Sequence, residues 1–193
     1  MNKKRYSFIS TKTIQGFSLL EVLLSVFVMS VGLMAIVAVI NGSLDFSYDT
    51  RDNIIATQLA QEGVELVRNV RDNDFLASGH DGFDNPTVFS TVKEHCRISV
   101  STGLNCQNSR ENARKYYLQY SGGLYDDVSD EPGRYSRFIY INYQNSGGER
   151  ATVRSFVFWG EFTVDRIPGT GSAASCQASP NCVYTETFLT AWR

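Results

Sequence analysis

The chain has 193 residues, with 18 Lys and Arg against 20 Asp and Glu for a formal net charge of −2, and four cysteines, a length that fits one modest domain with an anchor. The charge is unevenly spread: residues 1–16 carry four of the basic residues and no acidic one, and their removal leaves 14 basic against 20 acidic residues, a net charge of −6. An acidic product of this kind is a poor non-specific binder of phosphate backbones, so nucleic acid is not an expected partner.

In chain order, a basic leader (Lys3, Lys4, Arg5, Lys12) ends at Gly16, and the apolar run FSLLEVLLSVFVMSVGLMAIVAVI follows from Phe17 to Ile40. Its only charge is Glu21, and its only other polar side chains are Ser18, Ser25 and Ser30. As a helix it spans roughly 36 Å, enough to cross a hydrocarbon core of about 30 Å. The basic cluster before it, with Asp45, Asp49 and Asp52 behind it, predicts a cytoplasmic amino end and everything after Ile40 outside. A carboxylate costs about 2.5 to 3.5 kcal/mol at mid-bilayer, so Glu21 asks for an explanation. A signal anchor that tolerates an interfacial glutamate is the general reading.

The spacing is more specific. Gly16, an aromatic residue at Phe17 and a glutamate four positions further on, all abutting an apolar helix, resemble the type IV prepilin signature. Within that family FSLLEVLLSVFVMSVGLMA, with its Gly32-Leu33 pair, is most similar to minor pilins of the PilV type and to I-type minor pseudopilins. The stretch AQEGVELVRNVRD and the terminal Leu189-Thr190-Ala191-Trp192 are also similar to segments of such proteins. The resemblance implies that a prepilin peptidase cuts between Gly16 and Phe17 on the cytoplasmic side and methylates the new amino group of Phe17. The apolar segment is then kept, whereas a secretory signal loses it after a small-x-small site. It also implies that Glu21 attracts the amino terminus of a neighbouring subunit and sets the axial register of assembly. An amine and a carboxylate in an apolar layer neutralise each other when brought together, and each is costly alone.

From Tyr48 to Asp72 apolar residues recur at Ile55, Leu59, Leu66 and Val70, flanked by Ile54, Ala60 and Val67, one face of a helix. No proline interrupts Phe17 to Asn85. One helix of roughly 55 residues is the economical reading, its first half in the membrane and its second half the spine of an outer domain. Asn41-Gly42-Ser43 is the point where it could instead end. Ala35, Ala38 and Gly42 fit a close helix-packing face. Turn formers over Asn73–Pro86 predict the end of the spine at Asp72.

Strand-like runs follow at Thr87–Val92, Arg97–Ser101, Lys115–Tyr120, Ser136–Tyr143, Thr152–Val164 and Val183–Trp192, with turns at Ser121-Gly122-Gly123 and Asn145-Ser146-Gly147-Gly148. A long helix followed by antiparallel strands predicts an α+β class, the pilin-like fold that the resemblance also implies. The expected organisation is a cleaved leader at 1–16, a transmembrane and assembly helix at 17–40, its amphipathic continuation at 41–72, and an extracytoplasmic β-rich domain at 73–193.

Cys96, Cys106, Cys176 and Cys182 all fall in the exported part, where disulfides form. Pairing Cys96 with Cys106 and Cys176 with Cys182 is favoured, because each closes a short loop rich in Asn, Ser and Gly; each bridge contributes roughly 2 to 3 kcal/mol by loop entropy. Free thiols and a four-cysteine zinc site are the rivals, the latter without CxxC spacing. Asp72, Asp74, Asp81 and Asp84, and separately Asp126, Asp127, Asp130 and Glu131, could give oxygen ligands to calcium, but lack the EF-hand order and read first as solvated turns. Glu94-His95-Cys96 suggests a nucleophile only while Cys96 is a free thiol, and no nucleotide or hydrolase motif occurs, so no catalytic, metal or cofactor residues are assigned. Tyr116, Tyr117, Tyr120, Tyr125, Tyr135, Tyr140 and Tyr143, with Arg114, Lys115, Arg134 and Arg137, could hold single-stranded DNA but more often pack a sheet.

The sequence therefore predicts a non-enzymatic minor pilin or pseudopilin, built into a surface pilus or a periplasmic pseudopilus. Its expected partners are the prepilin peptidase, other pilin subunits, the inner-membrane assembly platform, and membrane lipid before assembly. The alternatives are a single-pass anchored, adhesin-like binding domain and a DNA-uptake pilin.

Overall fold

A computed structural model describes residues 16, 18–78, 83, 89, 93–101, 103–106, 117–126, 133–144, 149–160, 176 and 181–191. One helix, α1 (Leu19–Ser78), precedes seven strands: β1 (Lys93–Ser99), β2 (Gly103–Cys106), β3 (Tyr117–Ser121), β4 (Leu124–Asp126), β5 (Tyr135–Gln144), β6 (Arg150–Trp159) and β7 (Cys182–Thr190). The chain divides into two compact units, the second beginning at Tyr48.

In the first unit every described side chain is exposed. The helix runs on through Asn41-Gly42-Ser43, so the alternative of a break there is set aside. A single glycine costs about 1 kcal/mol in a helix, and without a proline nothing forces the chain out. At its other end α1 reaches Ser78, beyond the expected stop at Asp72. Asn73 is held in the helix by its side chain, which donates to Asn69 Oδ1 at 2.9 Å, and Phe75, Leu76 and Ala77 contain no breaker.

The second unit is an antiparallel sheet with the part of α1 from Tyr48 onward across one face. Strand β5 is its axis, pairing with β6 from Tyr135↔Trp159 to Gln144↔Arg150. On its other side β5 meets β3 near Tyr135 and β1 near Ile139 and Ile141. Outside these, β4 pairs with β3, β2 with β1, and β7 with β6. The turn signal Ser121-Gly122-Gly123 turns β3 into β4, with positive φ at Gly122 and Gly123. Strands β5 and β6 pair antiparallel on either side of Asn145-Ser146-Gly147-Gly148, the hairpin candidate, which lies outside the described residues. Strands β2 and β4 have no counterpart among the predicted runs, and Thr87–Val92 lies outside the described residues apart from Phe89.

Strand alternation sorts the sheet into two layers. Odd-numbered residues of β5, β6 and β7 face the helix: Ile139, Ile141, Ala151, Val153 and Leu189 gather with Val64 and Val67, while Tyr135, Val157 and Trp159 gather with Ala56, Leu59 and Ala60. Even-numbered residues form a second cluster, Phe138, Phe156 and Phe158 with Cys176. Burying each of these large apolar side chains is worth about 1.5 to 3 kcal/mol. The helix face in contact is centred on Ala56, Ala60, Gly63 and Val67, with Ile54 exposed and Leu66 and Val70 only half-buried, a rotation from the expected face. Small residues set it: a Cβ built on Gly63 would stand 2.5 Å from Ser155 Oγ and 3.0 Å from both Arg137 Cδ and Ile139 Cδ1.

Candidate functional site

Glu21 sits in the first turn of α1 and is exposed. The Ser18 carbonyl accepts the N–H groups of Glu21 at 2.9 Å and Val22 at 3.2 Å, which fixes where the helix starts. A carboxylate there faces the positive end of the helix dipole, worth about 0.3 to 1 kcal/mol. Gly16 is exposed and precedes the helix; Phe17 lies outside the described residues. Behind Glu21, the side chains from Leu19 to Ile40 are exposed on every face, Leu19, Phe27 and Met34 among the most open. The two serines within this run turn inward to the backbone, Ser25 Oγ donating to the Val22 carbonyl and Ser30 Oγ to the Phe27 carbonyl, each at 2.8 Å. Their hydroxyls are thereby satisfied without water, as an apolar surrounding demands. One helix of this chain is thus long and apolar enough to cross a membrane.

In the second unit polar groups cluster where helix and sheet meet. Arg134 donates from Nε and Nη2 to the two oxygens of Asp52, at 3.1 and 2.5 Å, and Tyr135 donates its hydroxyl to Asp52 Oδ1 at 2.8 Å. Hydrogen bonding from Arg134 holds the Asp52 carboxyl below the usual carboxylate range, against the opposing effect of burial. Burial, with the bond to Asp52, pushes the Tyr135 phenol up to about 12. Both carboxylate oxygens are occupied by donors, so Asp52 serves as a clamp between helix and sheet and not as a proton acceptor. Beside it lies a cleft of about 470 Å³, lined in part by Tyr48, Arg51, Tyr120 and Tyr125. The ring of Tyr125 packs edge-on to Tyr135 and tilted to Tyr120.

Arg137 is a second clamp, with its guanidinium fully buried. It donates to the carbonyls of Leu59 at 3.2 Å and Ile98 at 2.7 Å, and its Nη1 stands 3.4 Å from Glu62 Oε2. The sequence groups Arg134 and Arg137 with the tyrosines, as sheet packing first and a single-strand surface second, and shows neither clamp. The available signal was Arg137 on the same strand face as Tyr135, Ile139 and Ile141, where a charge must find partners. Elsewhere Tyr140 lies under Arg154, whose Cζ is 5.9 Å from the ring centroid, and Tyr143 packs against Phe83 and Phe89. Tyr116, Arg114 and Lys115 lie outside the described residues.

Cys96 is bonded to Cys106 and Cys176 to Cys182, the pairing that loop composition favours. The first bridge joins residues directly opposite each other on β1 and β2. Cys96 therefore offers no thiolate beside Glu94 and His95. Asp72 receives Arg71, from Nε at 2.9 Å and Nη2 at 2.6 Å, and Asp126 accepts the Ser99 hydroxyl. Among the described residues no three His, Cys, Asp or Glu side chains gather as a metal site would require; His80, Asp81, Asp84, Asp127, Asp130 and Glu131 lie outside them. Comparison with protein-family models, with curated proteins and with solved structures finds no match.

Proposed function

We propose that this chain is a structural subunit of the type IV pilin class, a minor pilin or pseudopilin. In this reading a prepilin peptidase cleaves between Gly16 and Phe17 and methylates the Phe17 amine. The mature chain waits in the cytoplasmic membrane with its sheet outside, then joins a filament through its apolar helix, with other pilin subunits and an inner-membrane assembly platform as partners. No enzymatic activity is assigned.

One observation carries the reading: an apolar helical segment exposed on every face holds a single carboxylate, Glu21, in its first turn. Such a surface needs lipid or other apolar helices around it, and a lone acid in that layer needs a cation of matching depth. The Phe17 amine, created by cleavage four residues away, supplies one, in the same chain or in a neighbour. The long helix laid on an antiparallel sheet suits this function, since packing on the sheet holds the rod's outer half and leaves its inner half for assembly.

The test is the mass and amino-terminal sequence of the protein extracted from the membranes of a host with an active prepilin peptidase. An N-methylated Phe17 terminus is expected. A retained leader, or a terminus elsewhere, would sink the proposal and favour a permanently anchored binding domain.

A further inference from the structure

Strand β7 closes one side of the sheet, and its outward edge can be read residue by residue. Beyond the two ends of the β6–β7 ladder, Trp159 N–H donates to the Asn181 carbonyl at 3.2 Å and Ala191 N–H to the Glu149 carbonyl at 3.1 Å. Both bonds join odd-numbered residues in the ladder's register. Hydrogen-bonded and non-bonded pairs alternate along an antiparallel ladder. Val183, Thr185, Thr187 and Leu189 therefore direct their backbone groups at β6, and Tyr184, Glu186 and Phe188 direct theirs away from it. A bond on the other side of β6 agrees: Gly160 N–H donates to the Arg134 carbonyl at 3.3 Å, which puts the even-numbered residues of β6 in the set bonded to β5. Among the described residues, the outward N–H and C=O groups of Tyr184, Glu186 and Phe188 meet no partner. The row stops at Thr190, whose carbonyl accepts Arg71 Nη1 at 3.2 Å.

Folded sheets blunt such edges with short strands, lysine, proline or bulges. The opposite side of this sheet does so, ending in β2 and β4 with four and three residues. Strand β7 has nine residues, an unbroken register, no proline and no lysine. The side chains of its three outward residues share the face away from the helix: Tyr184 and Phe188 are 38% and 68% exposed, and Glu186 between them meets Arg154 of β6.

We propose that the β7 edge is a docking site for an extended segment of another protein, which adds to the sheet as an eighth strand. Main-chain bonds to Tyr184, Glu186 and Phe188 supply affinity, and alternate side chains supply selectivity. Aromatic, acid, aromatic along the edge calls for its complement, a β-branched or aromatic residue on each side of a Lys or Arg, in the pattern apolar-x-basic-x-apolar. A second copy of β7 fits less well, because the antiparallel register of fullest overlap sets Glu186 against its own counterpart, and like charges directly opposite repel.

The test is amide hydrogen exchange on the full chain in detergent micelles, with the capped peptide STVTKTVTS as probe. In the free chain the amides of Tyr184, Glu186 and Phe188 should exchange fast while those of Thr185 and Thr187 are protected. Peptide at ten times its Kd should slow the first three about tenfold and leave the other two unchanged. STVTETVTS should protect wild type less, and Glu186→Lys should reverse the preference. Protection of the three amides without peptide, whether constant or rising with protein concentration, overturns the proposal by assigning the edge to this chain or to a second copy. So does equal protection by both peptides, or by neither. The measurement requires neither cleavage at Gly16 nor assembly, so its failure leaves the proposed function standing.

Discussion

Asp52 and Arg134, 82 residues apart in the chain, form a two-pronged ion pair that ties α1 to the start of β5. Tyr135 adds a third donor to the same carboxylate. Replacing Asp52 with Asn keeps the size but removes the charge and turns one acceptor oxygen into a donor. The amide oxygen still accepts the Tyr135 hydroxyl, so the cost falls on the bonds to Arg134, which is largely exposed and rehydrates, at about 0.5 to 1 kcal/mol. Urea unfolding of wild type and Asp52→Asn, compared at neutral pH in the same detergent, measures it; equal midpoints would remove the clamp.

The same pair makes the stability of the domain depend on pH at the acid end. The folded-state pKa of Asp52 is lowered, chiefly by the Arg134 hydrogen bond, so unfolding takes up a proton. Its contribution is therefore fully present above the ordinary carboxylate value of 3.8 and is lost as pH falls through the lowered folded value. Tyr135 acts at the other extreme. Its pKa is raised from 10.0 to about 12 by burial first, so its contribution is present below pH 10.0 and disappears as pH rises through about 12. The stability difference between wild type and Asp52→Asn should accordingly shrink on acidification below the ordinary carboxylate value, and a difference that grows there would contradict the sign of the shift.

Legibility in the sequence followed the range of the interactions. The apolar helix, its lone acid and the alternation in β5 and β6 are local patterns, and each is found where the sequence pattern put it; the turn at Ser121-Gly122-Gly123 is found too, although it leads into β4, a strand the pattern did not mark. Strand β2 is not local: Gly103 and Asn105 are poor strand formers, held in place by register with β1 and by the Cys96–Cys106 bond. The rotation of the helix face is not legible in the sequence because hydrophobicity marks the largest residues, whereas closest approach selects the smallest, here Ala56, Ala60 and Gly63. Arg137 was legible as a charge on an apolar strand face, but its partners, the carbonyls of Leu59 and Ile98, carry no side-chain signature.

Gly63 offers a test of that packing in which two effects oppose each other. In an isolated helix Gly→Ala gains about 1 kcal/mol. At this position the new methyl meets Ser155 Oγ at 2.5 Å and Arg137 Cδ and Ile139 Cδ1 at 3.0 Å, an overpacking that typically costs about 1 to 3 kcal/mol. Gly63→Ala should therefore destabilise. Ser155 Oγ is buried without a hydrogen-bond partner among the described residues, so Ser155→Ala alone should be neutral or slightly stabilising. Combined, the two should recover part of the loss, because the nearest clash is gone. A double-mutant cycle by urea unfolding reads the coupling directly; strict additivity would show that the helix moves away instead of pressing on Ser155.

At Glu21 folding and assembly separate. Glu21 is exposed in the first turn of α1 and lies outside the compact unit that begins at Tyr48, so Glu21→Ala leaves that unit's packing and both disulfides untouched. Its local cost is limited to the dipole contribution of about 0.3 to 1 kcal/mol. Under the proposed function the substitution removes the only counter-charge in the apolar layer for a Phe17 amine, and an unpaired amine there is expensive. Cleavage at Gly16 should persist, the protein should accumulate in the membrane with unchanged domain stability, and incorporation into sheared filaments should fall at least about tenfold, the effect of losing roughly 1.4 kcal/mol per subunit contact. Glu21→Asp, which keeps the charge on a shorter arm, should restore part of it. Normal incorporation of the alanine variant, scored by immunoblot of sheared and membrane fractions, would remove the carboxylate from the assembly mechanism.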